Sequence, residues 1–250
     1  MHSFESRPAQ QLPQHMTRAT QPPEMTAIQR DDEARALARA LTTRVSRLPS
    51  RTTPAVRTVR REFSRRIATH STDVVLQVAH LLLDARNDIL RFVAYELVAH
   101  HPPTFNSLRE TDVLALGQGL DSWSSVDCFA MYLSGPLWRG GRIPRRTITT
   151  WARDDDRWWR RAALVSTVAL SRDGGPTHIQ HVLGICGRLT SDRDDMVVKA
   201  LSWAVRELAK THPAEARRFL AANRPALAAR VVREVSNKLE TGLKTPRRLP

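Results

Sequence analysis

Residues 194–210 read DDMVVKALSWAVRELAK. Spaced at about 100° per residue, as in an ideal helix, Val197, Val198, Ala200, Leu201, Ala204, Val205, Leu208 and Ala209 fall on one broad side. Lys199, Ser202, Trp203, Arg206 and Lys210 fall on the opposite side. The leading acids suit a helix N-terminus, where unpaired N–H groups and the helix dipole favour negative charge. The stretch therefore reads as an amphipathic helix over 195–210. Its one tryptophan is out of phase with the core stripe and ringed by cations. Trp203 either packs beneath a neighbouring helix or offers a ring face to a base, a sugar or a cation.

Two other segments share this shape. NDILRFVAYELVAHH begins at Asn87 and DRWWRRAALVSTVAL at Asp156. Each of the three follows another amphipathic stretch: DVVLQVAHLLLDAR, RRTITTWARDD and THIQHVLGICGRL respectively. No segment shows the period-two alternation of a strand. Degenerate helix pairs recurring every few tens of residues mark stacked helical repeats. The predicted fold is all-α, an α-solenoid of HEAT-like repeats over residues 31–241. A disordered tail rich in Gln, Pro, Thr and His is expected over 1–30, and a basic tail over 242–250. Pro136 in GPLW and Pro144 in RIPRR read as a loop between helices, with Trp138 there as packing.

Charge narrows the partner. The 250 residues carry 39 Lys and Arg against 25 acids, a net charge of +14. Such an excess points to a polyanion, nucleic acid ahead of an anionic membrane surface. On a solenoid it predicts a basic concave surface that suits a duplex. No apolar run is long enough to span a bilayer, and the N-terminal stretch lacks the apolar core of a signal peptide. The expectation is a cytoplasmic, nucleoid-associated monomer. Cys128 and Cys186 have no CxxC neighbour and read as reduced core residues. His100, His101, His178, His181 and His212 share no ligand spacing, so neither a metal nor another cofactor is expected.

Two further helical faces carry polar residues of interest. In the helix from Asp155 to Leu170, Trp158, Ala162, Val165 and Ala169 make the core side, flanked by Trp159, Ala163 and Ser166. Arg157, Arg160 and Arg161 take much of the remaining arc. Arg161 borders the packed side, which would fix its stem and leave the guanidinium to meet a phosphate bidentately. The plainer reading pairs it with Asp155, Asp156 or another carboxylate. In DSWSSVDCFAMYLSG, Val126, Phe129, Ala130 and Leu133 form the stripe. Trp123 and Asp127, four apart, are neighbours on one face. Asp127 is then either an ordinary solvated acid or a functional one, and Ser124 to Asp127 has the spacing of a weak capping box.

Together these residues resemble the DNA alkylation repair family, the AlkD-like glycosylases. SWSSVD resembles the block in which a tryptophan precedes a catalytic aspartate by four, here Trp123 and Asp127. DRWWRRAAL resembles the block supplying a phosphate-side arginine, here Arg161, and MVVKALSWAVRELAK the block whose tryptophan is here Trp203. Ser124 and Ser202 stand where the family often has an acid and a glycine. The resemblance runs over about 32–240. It implies hydrolysis of the N-glycosidic bond of N3- or N7-alkylated purines in double-stranded DNA, without a cofactor. Asp127 would stabilise positive charge on the sugar and position water. Trp123 and Trp203 would lie against the lesion, and Arg161, Lys199, Arg206 and Lys210 would hold phosphates. The competing expectations are a helical-repeat DNA binder without catalysis and a solenoid scaffold for an acidic protein partner.

Overall fold

The computed structural model describes residues 25–173 and 176–246. These residues form helices and no strand. Residues 1–24, most of the expected N-terminal tail, and 247–250, the end of the expected basic tail, lie outside the described residues. In chain order the helices are α1 (Ala27–Ser46), α2 (Thr53–Arg66), α3 (Thr72–Asp84), α4 (Asp88–Ala99), α5 (Pro102–Ser107), α6 (Glu110–Leu116) and α7 (Trp123–Phe129). A π-turn over Ala130–Ser134 leads into α8 (Gly135–Arg139). Then come α9 (Arg145–Trp151), α10 (Arg157–Asp173), α11 (Pro176–Arg188), α12 (Asp195–Thr211), α13 (Pro213–Asn223) and α14 (Ala229–Thr241).

The helices stack as an α-solenoid. One row runs α2, α4, α7, α10, α12, α14, each packed on the next. In the other layer α1 packs on α3 and α9 on α11. Polar caps open α4, α10 and α12 of the first row. Asn87 accepts from the N–H groups of Ile89 and Leu90. Asp156 accepts from that of Trp158, and Asp194 from that of Met196. Each satisfies donors that a helix leaves unpaired in its first turn. The core stripe expected on α12 is buried along its whole length.

The helical domain begins earlier than expected. Thr26 and Gln29 form a reciprocal capping box that starts α1 at Ala27, inside the stretch assigned to a disordered tail. A threonine followed three residues later by glutamine is a helix start despite the polar composition around it.

Helix α10 is also not the one-sided helix its wheel suggested. Every residue from Arg161 to Ser171 is buried. The chain can enclose α10 because α7, α8, α9, α11 and α12 all pack on it. Its residues there are small enough for close approach: Ala162, Ala163, Ser166, Thr167 and Ala169. The polar ones are satisfied internally. The Ser166 hydroxyl reaches the Ala162 carbonyl at 2.7 Å and the Ser134 hydroxyl at 2.7 Å. Trp158 and Trp159 pack half-buried against the core, as expected. Trp159 sits 4.8 Å from Trp151 and edge-on to Phe129, ring centre to ring centre.

Pro136 lies within a helix rather than a loop. A proline ring clashes with the carbonyl four residues back and lacks an N–H. The π-turn just before it absorbs the irregularity by widening the helix. Gly135, at that point, sits where a Cβ would be 2.6 Å from the Ala169 Cβ and 2.8 Å from the Ala130 carbonyl oxygen. Only the expected loop around Pro144 remains, with Pro144 capping α9. Trp138 is buried and stacks on His181.

Gly135→Ala is expected to force α8 away from α10 and to cost about 1–3 kcal/mol, the usual penalty for overpacking. Urea denaturation would show it as a lowered midpoint. An unchanged midpoint would mean that this contact is not tight.

Candidate functional site

Helix α7 opens with Trp123 on the surface, 58 % exposed. The cap is Ser122, whose hydroxyl accepts from the Ser125 N–H while the Ser125 hydroxyl accepts from the Ser122 N–H. The expected box from Ser124 to Asp127 does not form, because both residues have other partners. The Ser124 hydroxyl donates to Asp88 at 3.0 Å. A carboxylate thus stands at this helix N-terminus, supplied from α4. One turn beyond Trp123, Asp127 points into the angle between α7, α10 and α12.

There Asp127 meets Arg161. The Arg161 Nε donates to one carboxylate oxygen at 2.9 Å and an Nη to the other at 2.9 Å. Its second Nη donates to the Met196 carbonyl at 2.6 Å. Arg161 is 5 % exposed. This differs from the expectation of a guanidinium left open for a phosphate. The close packing of α7 and α10 buries the group, and a buried guanidinium needs a carboxylate. Neither nearby acid is its partner: Asp156 caps α10, and the backbone carbonyl of Asp155 accepts from Arg160. Burial pushes the Asp127 carboxyl above the ordinary aspartate value, while the hydrogen bonds and charge of Arg161 pull it down. The net direction is upward.

Trp123, Asp127 and Arg161 line a half-open cleft of about 370 Å³ together with Trp203, Lys199 and Arg206. Trp203 is half-buried rather than sealed beneath another helix. The two tryptophans and the aspartate, drawn from α7 and α12, therefore share one cleft. Five cations and one acid line it. Lys210 is not brought to this cleft; its ammonium binds Glu207 at 2.7 Å. Ser202, expected on the polar side of α12, is fully buried because α14 covers that side. Its hydroxyl donates to Glu234 at 2.6 Å.

Met196, Arg230 and Lys244 complete the lining and were not singled out from the sequence. Arg230 comes from α14, and Lys244 from the turn beyond it. Cys128, next to Asp127, is half-buried, and Cys186 is buried; both are free thiols. Burial pushes each to about 12, so neither offers a thiolate at neutral pH. No group of three or more His, Cys, Asp or Glu is placed to hold a metal among the described residues. None of their helices is long and apolar enough to cross a membrane.

The description of one family, DNA alkylation repair enzyme, fits a match spanning residues 24–239. That span contains α1 to α13 and nearly all of α14, and every cleft residue except Lys244. No curated protein matches the chain.

Replacing Arg161 by Met leaves the Asp127 carboxylate partly buried without its counter-ion. Breaking such a pair costs about 3–5 kcal/mol. Losing Arg161 also raises the Asp127 value further, so the variant is most stable below the ordinary aspartate range and loses stability as pH rises through the raised value. Denaturation midpoints from pH 4 to pH 8 would show this slope. A flat profile would mean that burial does not hold the Asp127 value up once Arg161 is gone.

Proposed function

The chain belongs to the DNA alkylation repair enzyme family, and on that premise we propose that it is a monofunctional DNA glycosylase acting on cationic N3- and N7-alkylated purines in duplex DNA. The single observation that carries this reading is that an arginine-held carboxylate and two tryptophans line one cation-rich cleft. Besides neutralising Arg161, that carboxylate lines the cleft itself, where it repels phosphate and attracts positive charge.

The chemistry follows from the substrate's charge. Alkylation at N3 or N7 makes the purine a cation and a good leaving group, so no acid is needed to protonate it. As the bond from C1′ breaks, its electron pair goes to the base, which departs neutral. Positive charge develops on the deoxyribose. The Asp127 carboxylate stabilises that charge and takes a proton from the attacking water, in the manner of glycoside hydrolysis. The products are the free alkylpurine, an abasic sugar and a proton. Arg161 fixes both carboxylate oxygens and favours the ionised form this role requires. Trp123 and Trp203 offer ring faces to the cationic nucleotide. Lys199 and Arg206, which line the same cleft, would meet the flanking phosphates.

Selectivity then rests on substrate charge, since the cleft is half-open and does not enclose a base. A neutral purine presents neither the leaving group nor the attraction to the rings.

Asp127→Asn leaves the buried Arg161 without its counter-ion and is expected to lose about 3–5 kcal/mol of stability. At a temperature where circular dichroism shows it folded, it should bind duplex DNA but release 7-methylguanine and 3-methyladenine from methylated duplex at least about 10²-fold more slowly. That is the scale of losing one preorganised electrostatic group. HPLC of released bases checks it; equal release by both proteins would exclude Asp127. Wild-type release should fall on acidification as Asp127 protonates, at a pH above the ordinary aspartate range. In Arg161→Met, residual release should fall off at a still higher pH. Coincident acid limbs for the two proteins would contradict the assignment.

A further inference from the structure

Five cations line the cleft, but their hydrogen-bond donors are not equally available. Arg161 spends donors on Asp127 and the Met196 carbonyl. Lys199 is drawn to Asp195 at 2.6 Å. Arg206 donates its Nε to the Ser202 hydroxyl at 3.2 Å. Arg230 and Lys244 differ. Arg230 lies 3.6 Å from Glu234 and 3.8 Å from Asp195, and Lys244 lies 3.6 Å from Glu234. These separations give charge attraction but exceed hydrogen-bonding length. Among the described residues, both side chains stand beside Glu234 with their donors unspent.

The anchor is Glu234, 5 % exposed on α14. Its carboxylate is fixed by the Ser202 hydroxyl at 2.6 Å, and Arg206, Arg230 and Lys244 all stand within 3.8 Å of it. Three cations on one buried carboxylate leave positive charge over, directed at the cleft. Lys244 is delivered by a specific turn. Gly242 adopts a left-handed conformation, φ 75°, and its N–H closes α14 on the Lys238 carbonyl. The Asn237 side chain then binds the Lys244 carbonyl at 3.1 Å. A left-handed residue at this position favours glycine. The family match ends at residue 239, so Lys244 is an addition to what that match covers.

We propose that Arg230 and Lys244, held on Glu234, form a phosphodiester-binding clamp at the cleft, built by the C-terminal turn of the chain. The ligand is a backbone phosphate of the duplex; this rests on duplex DNA being the substrate. A phosphate oxygen accepts from an arginine and a lysine at once, and the clamp is preorganised because Glu234 sets both side chains before DNA arrives.

The test is duplex binding by the full chain, followed by fluorescence anisotropy over a range of KCl concentrations. Arg230→Gln and Lys244→Gln should each weaken binding to undamaged duplex and reduce the slope of log affinity against log salt by about one, and the double variant by about two. Arg218→Gln, an exposed cation paired with Glu215 outside the cleft, should leave the slope unchanged. Glu234→Gln separates a held clamp from mere net charge. It makes the protein more positive, so net charge alone predicts tighter binding, whereas loss of the anchor predicts weaker binding. Wild-type affinity and slope in Arg230→Gln and Lys244→Gln, or tighter binding by Glu234→Gln, would overturn the clamp. Base release in the same samples separates the two readings: duplex binding with the predicted slopes but no release sinks the glycosylase and leaves the clamp standing.

Discussion

The bidentate pair between Arg161 and Asp127 is the constraint on which the cleft depends. A guanidinium that is 5 % exposed cannot remain without a counter-ion, because desolvating it costs several kcal/mol. Asp127 meets that need, and in doing so it is held in one orientation. The remaining Arg161 bond, to the Met196 carbonyl, ties the first turn of α12 to the same point. Three helices of one solenoid row are thus pinned together at the cleft that Trp123 and Trp203 line. An interaction required for burial also presets the carboxylate.

Around that point the charges are graded by how far they are committed. Arg161 is consumed by Asp127, Lys199 leans on Asp195, and Arg206 shares Ser202 and Glu234. Arg230 and Lys244 are placed but not consumed. Such grading suits a cleft that must hold one anionic group of its own while receiving an anionic strand. It also accounts for Ser124 and Ser202. Each hydroxyl reaches a carboxylate on another helix, Asp88 and Glu234 respectively, so short side chains recruit acids from elsewhere in the chain.

Much of this was legible in the sequence, and the parts that were not share a cause. The α12 stripe, the caps at Asn87, Asp156 and Asp194, and the adjacency of Trp123 and Asp127 are set by residues within one or two turns. Helical periodicity captures such relations. The partner of Arg161 lies 34 residues away on another helix, and a wheel drawn for α10 alone cannot show it. The same wheel assigned α10 an exposed arc, although five neighbouring helices cover it. Pro136 read as a loop because its accommodation by a π-turn depends on packing against α10. Lys244 escaped notice because it stands in a turn away from any aromatic or acidic motif, and Arg230 because its i,i+4 spacing to Glu234 reads as an ordinary helix-surface pair. Lys210 matched the cationic pattern of its helix, yet Glu207 on the same helix claims it. Sequence pattern singled out the two tryptophans and the aspartate of the cleft better than its inventory of free charges.

The proposed chemistry requires this cleft to recognise positive charge on the nucleotide. The most direct measurement compares affinity for two duplexes, one bearing a protonated pyrrolidine in place of a deoxyribose and one bearing a neutral tetrahydrofuran. The account predicts a clear preference for the cationic duplex that is lost in Asp127→Asn. Equal affinity of the wild-type protein for both duplexes would contradict it.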